Sequence, residues 1–184
     1  MLGESPSAVM TAEELERVDI PGKSTELVRG RLVVHEPPGI YHGQIAAKLA
    51  YLVGAFVYPN GLGALFGQDT GFKIESSPDT VRAPDLAFLK QERTSEIRPR
   101  GYGPFAPDLV AEIVSPDDRR GELLAKVGDW LDAGVKLVWV IHPVRREAQV
   151  HRADGSLSVV GAGETLDGED VLPGFTCPLS DIFS

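Results

Sequence analysis

Two hydrophobic periods alternate along this chain, and they predict most of its elements. The stretch "STELVRGRLVVHEPP" has strand-like runs on either side of Arg29-Gly30, so it predicts a β-hairpin closed by Gly30 and ended by Pro37-Pro38. In "IYHGQIAAKLAYLVGAFVYPNG" the period changes. Ile45, Leu49, Leu52, Val53 and Phe56 recur at helical spacing, which predicts an amphipathic helix stopped at Pro59-Asn60-Gly61. Short strand candidates follow in "GALFG", "GFKIES" and "VRAPDLAFLK", where Pro84 suits the start of a strand running Asp85 to Leu89. A polar, arginine-rich loop runs from Lys90 to about Pro107, and "DLVAEIVS" is the next strand.

A second helix is expected over "SPDDRRGELLAKVGDWLDAG". It begins at Ser115-Pro116 or Asp117, buries Leu123, Leu124, Val127, Trp130 and Leu131, and ends at Gly134. "VKLVWVIHP" is a strongly apolar strand, "EAQVHRADGSLSVV" a hairpin turning at Asp154-Gly155, and "LPGFTCPLSDIFS" a loop-rich tail expected to pack on the outside. The strands "LVAEIVS" and "KLVWVIH" are apolar on both faces. Together with the helix between them they predict an α/β (α+β) fold: a mixed central sheet flanked by helices on both sides, with peripheral β-hairpins. Residues 1 to 22 read as a loose arm with one short helix, "TAEELERV", capped by Thr11 with Glu14 closing a capping box. Residues 23 to 184 read as a single domain.

Composition narrows the function classes. The net charge of −9 argues against a broad, non-specific nucleic-acid surface, but a local basic groove stays open because arginines cluster in "KQERTSEIRPR", at Arg119-Arg120 and at Arg145-Arg146. Solvated loop charge is the ordinary explanation of such clusters. The single cysteine, Cys177, reads as a small buried apolar residue and cannot form an internal disulfide. The first twenty residues show no basic leader or apolar stretch, and no run reaches the roughly 20 apolar residues of a membrane helix, so a cytoplasmic location is expected, with no membrane partner. There is no Walker loop, no GxGxxG after a strand, no His/Cys zinc spacing and no nucleophile elbow.

One residue breaks the apolar pattern. Glu112 lies in the middle of "LVAEIVS", and carboxylates are rarely buried unless paired or bound to a cation. Asp85 opens a strand of its own. If the two strands are neighbours, both carboxylates sit on one face within reach of a shared divalent metal, for which Mg²⁺ favours hard oxygen ligands. A structural ion pair of Glu112 with Arg82 or Arg119 is the other explanation. Lys126, on the following helix, either turns its amine toward the carboxylates or pairs on the surface with Glu122 four residues earlier. His42 and Gln44, at the start of the first long helix, could reach a site at the sheet edge, or His42 could simply bond locally at the helix entry. Glu26 is either a supporting acid or an exposed cross-strand charge partner.

The order of these stretches resembles the Uma-two family of restriction-endonuclease-like proteins. The stretches that carry the resemblance are "TELVRGRLVV", "YHGQIAAKLAYLV", "GQDTGFKI", "VRAPDLAFLK", "PDLVAEIVSPDD", "LLAKVGDWLDAGVKLVWVIHP" and "DVLPGF". The resemblance implies the PD-(D/E)xK nuclease fold and a metal-dependent endonuclease acting on DNA. Asp85 matches its first acid and Glu112 its second, as ligands of Mg²⁺ or Mn²⁺, with the Ile113 carbonyl as a further ligand. The usual lysine, two residues after the second acid, is here Val114, and Lys126 matches the helix position that replaces it. His42, Gln44 and Glu26 are then supporting residues, and a homodimer is expected. A rival reading keeps the fold without the chemistry, as a non-catalytic module for binding or self-association.

Overall fold

The computed structural model describes residues 9–116 and 118–184. The first eight residues of the expected arm and Asp117, one of the expected helix starts, lie outside that range.

The chain begins with α1 (Ala12–Leu15), capped by Thr11 and Glu14 in the expected reciprocal box. Strands β1 (Ser24–Val28) and β2 (Arg31–His35) form a hairpin whose register places Val28 opposite Arg31. Both turn residues, Arg29 and Gly30, have positive φ, as a tight two-residue hairpin turn requires. Gly30 is also needed for space, because a Cβ there would stand 1.9 Å from Val9. Next come α2 (Ile40–Val57), β3 (Gly63–Phe66), β4 (Phe72–Glu75), β5 (Thr80–Arg82) and β6 (Leu86–Lys90). A 3-10 helix (Gln91–Glu96) opens the arginine-rich loop. Then follow β7 (Leu109–Ile113), α3 (Arg120–Asp132), β8 (Leu137–His142), β9 (Glu147–Arg152), β10 (Leu157–Val160), β11 (Thr165–Asp167), β12 (Thr176–Pro178) and α4 (Leu179–Ile182).

The central sheet has the order β10-β9-β8-β7-β6-β3 and is mixed, as expected: β7 and β8 run parallel and the other pairs antiparallel. A helix must join parallel neighbours, and α3 does so. A second, antiparallel sheet has the order β2-β1-β5-β4. The side chains of the central sheet divide by parity. Leu86, Phe88, Leu109, Ala111, Leu137 and Trp139 meet Ile45, Leu49 and Val53 of α2. Ala87, Leu89, Val110, Val138 and Val140 meet Val127 and Trp130 of α3. The sheet is thus flanked by helices on both faces, which is the expected fold class.

Several expectations need correction. The run "VRAPDLAFLK" is two strands in two sheets, with β5 in the small sheet and β6 in the central one. Pro84 has no amide hydrogen to continue a ladder, and the chain crosses between the sheets there. Helix α3 starts at Arg120, not at Ser115-Pro116. Asp118 Oδ2 instead accepts from the Ser115 amide at 2.7 Å, and a turn closes that stretch. Leu124 therefore lies off the buried stripe of α3, 47% exposed. The β9–β10 hairpin forms one edge of the central sheet. The tail is not an outer wrapping: Leu172, Phe175, Cys177, Leu179 and Ile182 are buried in the α2-side core, and the Phe175 ring stacks at 5.7 Å from Trp139. Residues 12–15 likewise do not trail loosely, since Ala12 and Leu15 pack on Leu27 and Val81.

Candidate active site

The site forms where the two sheets meet. Strands β6 and β7 are antiparallel neighbours, with Leu86 opposite Ala111, so Asp85 and Glu112 come from adjacent strands. Asp85 stands just before β6, where the chain has crossed from the small sheet. Its backbone amide donates to Ala111 O at 3.1 Å, and its Oδ2 accepts from the Ile113 amide at 2.6 Å. Its other partners are Gln68, whose Nε2 donates to Oδ1 at 3.1 Å, and His42, whose Nε2 lies 3.2 Å from Oδ2. Burial opposes the Asp85 anion, but His42, the Ile113 amide and the nearby Lys126 outweigh it, and the carboxyl is held below its ordinary range. Burial likewise pulls the His42 imidazole down, and the Asp85 carboxylate more than reverses this, so the ring titrates above its ordinary value.

Glu112 points to the α3 face and is deeply buried. Its Oε2 accepts from Lys126 Nζ at 2.9 Å and its Oε1 from the Trp130 indole at 2.8 Å. Its partner is therefore neither Arg82 nor Arg119, the two arginines considered from sequence. Lys126 turns inward rather than pairing with Glu122, which meets Arg119 at 3.4 Å instead. The Lys126 ammonium also donates to Ala83 O at 2.8 Å and lies 3.0 Å from Glu26 Oε1. Glu26 is buried rather than an exposed strand partner. One ammonium thus faces Glu112 and Glu26 directly, with Asp85 close by. Burial pushes the Glu112 carboxyl up to about 7, against the pull of Lys126 and aided by repulsion from Asp85 and Glu26. Burial alone would lower the Lys126 pKa, but the surrounding carboxylates raise it. For Glu26 too, burial opposes ionisation, and Lys126, His35 and Arg82 together hold it well below the usual carboxylate range.

Gln44 is exposed on α2, apart from this cluster. The residue that supports Asp85 beside His42 is Gln68, which also lies 3.2 Å from His42 Nδ1. Gln68 lies in "GQDTGFKI", one of the stretches that carry the family resemblance, but no charge or spacing there marks it as a partner of Asp85. The indole of Trp130 could have been found, because a buried indole N–H needs an acceptor and Glu112 is the acid one helix away.

The donor chemistry fits a hard divalent cation, since Asp85 and Glu112 bring two carboxylates from adjacent strands near each other. Among the described residues, no group of three or more His, Cys, Asp or Glu side chains is placed to hold a metal by itself. Backbone oxygen and water would complete the coordination. Asp85 and Lys126 each retain 17% side-chain exposure, so the cluster opens to solvent at that point.

A family model described as "Putative restriction endonuclease", Uma2, matches residues 12–180. The chain belongs to the Uma2 family. Asp85, Glu112 and Lys126 all lie within the matched residues. A crystal structure described as a "putative nuclease belonging to DUF820", from Anabaena variabilis ATCC 29413, has a similar fold. Its TM-score is 0.81 at 18% identity, and the alignment covers 95% of this chain and 97% of that one. No curated protein matches the chain. Among the described residues, no helix is long and apolar enough to cross a membrane.

Proposed function

We propose that this Uma2 chain is a metal-dependent endonuclease that hydrolyses DNA phosphodiester bonds, with one restriction-endonuclease-like domain over residues 23 to 184 and a cytoplasmic home. The observation that carries the reading is the convergence of Asp85, Glu112 and Lys126 at the junction of β6, β7 and α3. Asp85, Glu112 and the Ile113 carbonyl would hold Mg²⁺ or Mn²⁺. When bound, such a cation supplies Lewis-acid charge at the reacting phosphate.

The chain's own residues do the rest. His42 and Gln68 fix the Asp85 carboxylate from one side, and the Ile113 amide fixes it from the other. Trp130 and Lys126 fix the two oxygens of Glu112. Lys126 stays protonated and places a positive charge beside the site, where it stabilises charge that builds on the phosphate. Glu26 holds the ammonium in place. Gln44, exposed on α2, would contact the nucleic acid rather than Asp85. Arg119 and Arg120, exposed at the start of α3, offer phosphate contacts, whereas Arg93 is committed to Glu96 and Asp108. A homodimer matches the two-fold character of duplex DNA.

Purified protein with Mg²⁺ and plasmid or linear DNA tests the reading. Cleavage is expected for the native chain and its loss for Asp85→Ala and Glu112→Ala. Equal activity in either variant would sink the assignment.

One observation favours the non-catalytic alternative, a binding or self-association module. The Lys126 ammonium is already engaged by protein groups: it donates to Ala83 O and Glu112, and Glu26 lies 3.0 Å away. Titration calorimetry with Mn²⁺ separates the two readings. Heat of binding that disappears in Glu112→Gln supports the nuclease, and no heat in the native chain supports the module.

A further inference from the structure

Lys126 has a flexible side chain that is mostly buried, so its position has to be imposed. The groups that impose it extend beyond those it touches. Glu26 offers Oε1 to Lys126 and to the Ala83 amide at 2.8 Å, while its Oε2 accepts from Arg82 Nη1 at 2.7 Å. The antiparallel register of β1 and β5, with Leu27 opposite Val81, sets Glu26 across from Arg82. Arg82 turns its remaining nitrogens to Asp129 Oδ2, with Nε at 3.0 Å and Nη2 at 2.6 Å. Asp129 is on α3, three residues beyond Lys126 and therefore on the same side of the helix. The chain of contacts closes on itself: Lys126, Glu26, Arg82, Asp129 and back along α3. The side chains of Glu26, Arg82 and Asp129 are 3%, 8% and 8% exposed, so water competes little for any link.

We propose that Arg82 is a positioning residue for Lys126, acting through Glu26 and anchored by Asp129, so that the four-stranded sheet is part of the active centre and not only packing support. This rests on the nuclease reading. The planar guanidinium presents its donors at fixed angles. It occupies one oxygen of Glu26 and thereby sets the direction of the other, which receives the ammonium. Arg82 also places a second positive charge between the carboxylates of Glu26 and Asp129. If Glu26 turns away, the ammonium loses one of its two carboxylate contacts and is no longer confined beside Glu112.

The side-chain ammonium signal of Lys126 in proton–nitrogen NMR tests this directly. An ammonium held by hydrogen bonds and ion pairs in a mostly buried site exchanges its protons slowly and gives a resolved signal, which Lys126→Met assigns by its loss. In Arg82→Lys the signal is expected to broaden or vanish, and kcat on DNA with Mg²⁺ to fall by about 10- to 100-fold with KM little changed. Asp129→Asn is expected to show a weaker version of both, and it carries the test if Arg82→Lys does not fold. A folded variant that keeps the signal, or keeps the native kcat, overturns the proposal even if its melting temperature drops, since a purely structural arginine would behave that way. A native chain that never cleaves DNA contradicts the nuclease reading instead, and the ammonium signal then decides the positioning by itself.

Discussion

The two faces of the central sheet come from the same strands but have opposite chemistry. On the α2 face, Leu86, Leu109, Ala111, Ile113, Leu137 and Trp139 form an unbroken apolar layer that the C-terminal tail completes. On the α3 face, Val110 is followed two residues later by Glu112, and the layer gives way to Lys126, Trp130, Glu26 and Arg82. The alternation of side chains along β7 decides which face receives the acid. The parallel register sets Glu112 opposite Val140, so β8 offers it no countercharge. The countercharge has to come from above the sheet, and α3 brings it. A uniform apolar face and a face with one displaced acid thus differ in what they demand from the helix that covers them.

The largest break in this contrast is expected from Lys126→Met. It leaves Glu112 and Glu26 without their shared ammonium, and removing one partner of a buried pair costs about 3–5 kcal/mol. Urea unfolding at pH 8, where both acids are most strongly driven to ionise, should show the full loss, and a smaller one at pH 5. Leu137→Ala, on the other face, should cost about 2–5 kcal/mol through the cavity it leaves. That cost should be the same at both pH values, and cleavage per folded molecule should be unchanged. A pH-dependent loss at Leu137, or a pH-independent one at Lys126, would dissolve the distinction between the faces.

A finer effect concerns Glu112 itself in metal-free buffer. Its carboxyl is raised from 4.5 to about 7 on folding, so the folded state binds its proton more tightly than the unfolded state. The associated stability is fully present below pH 4.5 and is lost as pH rises through about 7. Glu112→Gln removes this slope while keeping an acceptor for the Trp130 indole. The stability of the variant should therefore be flatter than the native curve between those pH values, by up to about 3 kcal/mol. Parallel curves would mean that Glu112 ionises in the fold as it does in solution.

Much of this contrast was legible in the sequence, and the reason is periodicity. The hairpin at Arg29-Gly30, helix α2, the parallel strands β7 and β8, and the odd acid Glu112 all follow from local patterns of two or 3.6 residues. Lys126 was legible only as one of two alternatives, since the amine lies on the same helix whether it turns to Glu122 or inward. Three features were hidden because they depend on contacts between distant segments. Pro84 marks a break, but nothing local says that the strands on its two sides join different sheets. The tail "LPGFTCPLSDIFS" is rich in turn residues, which conceals that its apolar side chains complete the α2-side core. Arg82 and Asp129 are 47 residues apart, and only the fold brings them together.

The most direct measurement is an anomalous difference map from crystals soaked in Mn²⁺. The account predicts one strong peak coordinated by Asp85, Glu112 and the Ile113 carbonyl, with Lys126 beside it. Ordered Asp85 and Glu112 side chains with no peak between them, at Mn²⁺ concentrations that support cleavage, would contradict it.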